Sequence, residues 1–272
     1  MSKIGVEYIE SFENYNKNNT IILEELLGSD TFVHAFELKM LDAKQHHTVE
    51  FTRPNCQCHE IDLRDSEEFH GKDDKVADNV DLFYIDTHGG NDGKNITLNY
   101  DTKEEFWEGN SSSWRLGKKL KWLLLSACNT LAMENLMGLW DIFQNLHLIC
   151  GSFDEMYLYR DDLGKDIGTD LGEMLTDGHT VADAWIDGLT VESYSGQKML
   201  FQSPMVVSVE KRATWKNVNT DYRKTNMNSD HLLGAGRTVT GVSKKDKYWL
   251  CYIKKVTFNI AMLGGQPKRG HK

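Results

Sequence analysis

Short apolar stretches that do not alternate recur through the middle of this chain. Residues 80–85, 122–125 and 146–150 are rich in β-forming side chains. Stretches of this kind suit strands covered on both faces, as in a parallel sheet. Further strands are predicted at 4–9, 47–53, 58–63, 205–209 and 248–258. Residues 20–27 and 31–41 read as short helices. Leu136, Leu139, Trp140 and Phe143 recur at helical spacing and predict a helix with one apolar stripe. Leu163, Ile167, Leu171 and Leu175 predict another, with Gly178 as its stop. Thr180 and Asp183 have capping-box spacing, and the helix they open carries Val181, Ala184, Trp185 and Leu189 on one face. Residues 65–78 and 220–241 are polar and read as loops. Strand and helix in alternation predict an α/β fold, a three-layer sandwich around a mainly parallel sheet. Only three prolines occur and no Pro- or Gly/Ser-rich linker divides the chain. One continuous domain over 1–263 is expected, with a flexible basic tail at 264–272.

Composition narrows the function classes. Hydrophobic residues make up 40% and charged residues 26%, which argues against wholesale disorder. No apolar run approaches the ~18 residues of a membrane span. Residues 1–10 carry two acidic groups and no long apolar stretch, so no secretory signal is expected. The net charge of −10 argues against nonspecific nucleic-acid binding, which needs a basic face. The lysine-rich pieces at 118–121 and 244–247 read as solvated edges. Five cysteines, an odd number, fit a reducing cytoplasm better than a disulfide framework.

Two of the predicted strands end in reactive residues. One runs into Asp86-Thr87-His88-Gly89-Gly90, the other into Ser126-Ala127-Cys128-Asn129-Thr130. In parallel sheets, ligands sit beyond the carboxyl ends of the strands. His88 and Cys128 lie 40 residues apart, enough for one right-handed crossover. If their strands are neighbours, an imidazole and a thiol share one sheet edge, as thiol catalysis requires. An oxyanion needs backbone N–H donors that no side chain crowds, and the amides of Gly89 and Cys128 are the candidates.

This pattern of His-Gly after one strand and Ala-Cys after the next resembles the caspase-like cysteine peptidases. That group includes caspases, metacaspases, legumain, gingipain, separase and the CHAT proteins. The segment from Ser126 to Thr130 is most similar to the bacterial CHAT-type members, and the likeness covers about residues 80–196. The resemblance implies an α/β/α caspase-like fold and peptide-bond hydrolysis through an acyl-enzyme on sulfur. It implies a dyad of His88 and Cys128, backbone oxyanion donors at Gly89 and Cys128, and no cofactor or metal. It implies a protein or peptide substrate, in bacterial defence or regulated proteolysis. In several relatives an acidic or amide residue two places before the cysteine reads the substrate residue N-terminal to the cut. Here Ser126 holds that place, so an uncharged side chain is the expectation at the cut. Asp154 is a further candidate for the substrate pocket, or else part of an acidic loop.

Other readings stand beside this one. A catalytically silent scaffold that binds a partner would keep the fold without the chemistry. Cys128 could be an inert buried thiol, and His88 a turn histidine bonded to backbone. Asp86 could orient the imidazole or be a solvated strand-end carboxylate. Cys56, Cys58 and His59, with His46, His47 and His70, invite a zinc reading, but the cysteine spacing is too short for a usual structural motif. Cys150 reads as core.

Overall fold

A computed structural model of the chain describes residues 2–10, 26, 29–42, 47–89, 95–99, 106–154, 156, 167–189, 191–192, 198–199, 203–211, 227, 230–232 and 248–254. Its centre is a seven-stranded sheet. The strands are β1 (Ser2–Tyr8), β2 (His47–Pro54), β3 (Leu82–Asp86), β6 (Trp122–Ser126), β7 (Leu148–Ser152), β10 (Pro204–Lys211) and β11 (Tyr248–Lys254). Their order across the sheet is β11-β10-β7-β6-β3-β1-β2. The five strands from β2 to β7 run parallel, β10 runs antiparallel to β7, and β11 runs antiparallel to β10. Two short antiparallel pairs stand apart: β4 (Asn95–Asn99) with β5 (Phe106–Asn110), and β8 (Val191–Glu192) with β9 (Lys198–Met199).

The fold is thus α/β around a mainly parallel sheet, as the apolar runs predict. All five residues of β3, of β6 and of β7 are buried. Their alternate side chains feed two separate cores. One face packs Leu82, Tyr84, Trp122, Leu124, Leu148 and Cys150 under α1 (Ser29–Asp42), α2 (Ile167–Thr176) and α3 (Val181–Gly188). The other packs Phe83, Ile85, Leu123, Leu125 and Ile149 under 3-10 turns, loops and β4.

That second layer departs from the helix expected after β6. Residues Met133–Ile142 form a 3-10 helix. Leu136, Leu139 and Ile142 are all buried. Their spacing of three matches the 3-10 repeat, in which residues i and i+3 eclipse. The strand expected at 58–63 is also replaced by 3-10 turns, Asn55–Gln57 and Glu60–Asp62. Pro54 ends β2, and Asn55 turns with a φ of 46°. The amides that follow then bond locally, Cys58 to Asn55 at 3.0 Å and Leu63 to Glu60 at 3.1 Å.

The other helices follow their end signals. Gly178 takes a φ of +87° beyond α2. The Thr180 hydroxyl accepts the Asp183 amide at 2.9 Å to open α3. The helix read at 20–27 lies outside the described residues apart from Leu26, as do the 264–272 tail, Lys244–247 and most of the loop at 220–241. The polar stretch 65–78 is a loop held by its own buried carboxylates. Asp78 alone accepts the amides of Gly117, Lys118 and Leu120 at 2.9–3.2 Å. Among the described residues, no helix is long and apolar enough to cross a membrane.

Candidate functional site at the carboxyl edge of the sheet

The register of β3 and β6 sets the site. The two strands are hydrogen-bonded parallel neighbours, with Asp86 opposite Ser126. The amide of Thr87 carries the ladder one residue further, donating to the Ser126 carbonyl at 3.1 Å. His88 and Cys128 each follow that pair by two residues, so they leave the sheet from adjacent strands at the same level. His88 is 8% exposed and Cys128 is partly exposed.

The two strand ends converge at Gly89. A Cβ placed there would lie 1.7 Å from the Cys128 carbonyl oxygen and 2.8 Å from its nitrogen. Only a residue without a side chain lets these backbones approach so closely. Gly89 also forms an antiparallel bridge with Ile96. The hairpin thus holds the histidine-bearing end from the other side.

Beyond Cys128 the chain turns sharply. Asn129 has a φ of 56°, the left-handed region that Asn tolerates better than most residues. Its amide donates to the Asp154 carbonyl at 2.9 Å, and that of Leu131 to the Ser152 carbonyl at 2.8 Å. The Thr130 hydroxyl accepts the Ser152 amide at 3.1 Å. The end of β7 is therefore zipped along the cysteine turn. The zipper reaches the sulfur: the Met156 amide donates to Cys128 Sγ at 3.2 Å, and Sγ lies 3.5 Å from the Met156 carbonyl oxygen.

Below this edge lies a polar row. Tyr8 pairs with Asp86 across β1 and β3, and Asp86 with Ser126 across β3 and β6. Asp86 is 1% exposed. Its carboxylate accepts hydrogen bonds from Ser126 and from Ser29, the first residue of α1. Burial outweighs these donors and pushes Asp86 up to about 6. Asp86 is therefore a buried, hydroxyl-bound carboxylate, and the solvated reading does not hold.

The remaining candidates divide. Ser126 is buried at 3% exposure, with its hydroxyl on Asp86. Asp154 is exposed, beside the cysteine turn, and joins it through its backbone carbonyl. Cys150 is fully buried in the helical-face core, and burial raises its thiol well above the usual range. Cys58 is buried, its sulfur 3.2 Å from the Tyr8 carbonyl and 3.0 Å from that of Arg53. Among the described residues, no three His, Cys, Asp or Glu side chains are placed to hold a metal. Sequence reasoning missed Ser29 and Met156. Ser29 sits in the Ser-Asp pair that precedes the helical pattern, a start signal. Nothing local marks Met156.

No curated protein matches the sequence. Among solved structures, the Drosophila initiator caspase Dronc is similar at a TM-score of 0.39 and 12% identity, over 75% of this chain and 78% of that one. The family model described as a domain of unknown function, DUF6345, matches residues 7–255, and the chain belongs to that family.

Proposed function

We propose that this chain is a caspase-like cysteine peptidase with Cys128 as nucleophile and His88 as its acid–base partner. The observation that supports it is the shared level of the two residues on adjoining parallel strands, at the carboxyl edge where such sheets bind ligands. In this reading His88 takes the thiol proton and Cys128 Sγ attacks the carbonyl carbon of a peptide bond. The tetrahedral oxyanion rests on the amides of Gly89 and Cys128. His88 then gives the proton to the leaving amine as the C–N bond breaks. Water hydrolyses the resulting thioester and restores the thiol. The substrate is a protein or peptide in extended form, and the setting we assign is regulated proteolysis.

A peptide-library digest tests this. Wild type should cut, while Cys128→Ala and His88→Ala should lose activity by a factor of at least about 100. Cleavage that persists in Cys128→Ala contradicts the assignment. A second reading, a catalytically silent scaffold, draws on the hold that Met156 has on the sulfur. A folded wild type that cuts nothing in the library favours it.

A further inference from the structure

We infer that the main-chain amide of Met156 is a third member of the catalytic centre, a donor that holds Cys128 Sγ in its thiolate form. This rests on the peptidase reading above and adds a group to the same site.

The sheet order is the first argument. Strand β6 lies between β3 and β7. His88 follows β3, Cys128 follows β6 and Met156 follows β7. The imidazole and the amide therefore come to the cysteine from its two neighbouring strands. The Met156 amide donates to Sγ at 3.2 Å, while the Met156 carbonyl oxygen lies further off, at 3.5 Å. The segment that carries this donor is braced on several sides. Ser152 Oγ lies 2.8 Å from the Asp154 carbonyl oxygen and 3.0 Å from that of Ser203. The Phe153 amide donates to the Ser203 carbonyl at 3.0 Å, and the Asp154 carbonyl accepts the Asn129 amide at 2.9 Å. The Met156 side chain packs against the helical-face core. The amide is thus in place before any substrate arrives, as electrostatic stabilisation requires.

Charge is the second argument. A hydrogen bond made to the charged form of a group favours that form. A thiolate accepts the Met156 amide, whereas a neutral thiol can donate to the Met156 carbonyl over the longer distance. Three other titratable groups stand around the cysteine turn. His88 is on the β3 end, Asp86 is buried one row below it, and Asp154 is exposed at the end of β7. Negative charge on either carboxyl group opposes a further negative charge on sulfur, and the amide offsets that opposition. It acts twice in the reaction. It stabilises Sγ when His88 takes the thiol proton, and again when the thiolate leaves the acyl carbon as water hydrolyses the thioester. A better stabilised thiolate is a better leaving group.

The test is the pH profile of Cys128 alkylation by iodoacetamide, read by peptide mapping of the full chain, beside kcat/KM for peptide cleavage. Met156→Pro removes the amide hydrogen, and Met156→Leu keeps it together with an apolar side chain. Met156→Pro should raise the alkylation midpoint by about one pH unit or more. It should also lower kcat/KM by about tenfold below that midpoint. Met156→Leu should keep the wild-type midpoint. Should Met156→Pro fail to fold, the α-hydroxy acid of methionine at position 156, which replaces the N–H by an ester oxygen, carries the same expectation. An unchanged midpoint in the variant without the N–H overturns the inference. Faster alkylation and cleavage in that variant also overturns it, since Met156 then only covers the sulfur. Either result, with Cys128-dependent cleavage by the wild type, leaves the peptidase reading standing. A raised midpoint with no cleavage of any peptide by the wild type upholds the amide's hold on the thiolate and overturns the peptidase reading.

Discussion

Glu7 and Asp86 are buried carboxylates on neighbouring strands, held on opposite faces of the sheet by different partners. Glu7 is 0% exposed, with Arg53 Nη1 at 3.4 Å and Asp62 beside it. Burial, then the nearby Asp62 charge, pushes it well above the usual carboxylate range. The folded state thus holds a proton that the unfolded chain releases, so stability falls as pH rises from the unfolded value through the folded one. Glu7→Gln, which mimics the protonated form, should flatten that decline. Urea midpoints at pH 5 and pH 8 measure it, and an equal decline in variant and wild type contradicts the assignment. Asp86 has the same sign, with a window from about 4 to about 6. Ser29→Ala removes one of its two hydroxyl donors. It should cost about 1.5–3 kcal/mol at pH 8, and less at pH 5, where the carboxyl is protonated. The Asp86 environment was not legible locally, because its partner Ser29 lies 57 residues away and only the folded register brings Ser126 beside it.

At the scale of elements, close backbone approach explains two glycines. At Gly89 an added Cβ meets the Cys128 backbone. Gly89→Ala should cost about 1–3 kcal/mol through overpacking and abolish peptide cleavage. A fully active, stable variant contradicts the convergence of the two strand ends. On α2, a Cβ at Gly168 would lie 2.0 Å from the Phe32 carbonyl oxygen of α1. Gly168→Ala should therefore lower the melting temperature, although alanine favours helix over glycine by up to about 1 kcal/mol. The strands of the parallel block were legible because burial on both faces leaves unbroken apolar runs. The segment at 133–142 reads as α-helical in the sequence because Leu139 and Phe143 fit a 3.6 repeat, while Leu136, Leu139 and Ile142 fit the repeat of three that the structure adopts. The hairpin of β4 and β5 was missed, since only Ile96 and Leu98 mark its buried side and the segment has no strong turn signal.

Across the whole molecule, β1 leads out to the edge strand β2, while β3, β6 and β7 build the sheet the other way. The site stands at the carboxyl ends of β3 and β6, next to β1, where the strand order changes direction and crevices form in open α/β sheets. The sequence carried the strand ends and their reactive residues. It did not carry the neighbour relation of β3 and β6, which 35 intervening residues leave open at the level of pattern. That relation underlies the proposal that Cys128 is a nucleophile activated by His88. Its most direct test is intact-mass analysis and peptide mapping after treatment with a peptidyl chloromethyl ketone. The assignment predicts an adduct on Cys128, with Cys58 and Cys150 unmodified because both are buried. It also predicts labelling slowed by about 100-fold or more in His88→Ala. Labelling of Cys128 at an unchanged rate in that variant, or no labelling of a folded wild type, contradicts it.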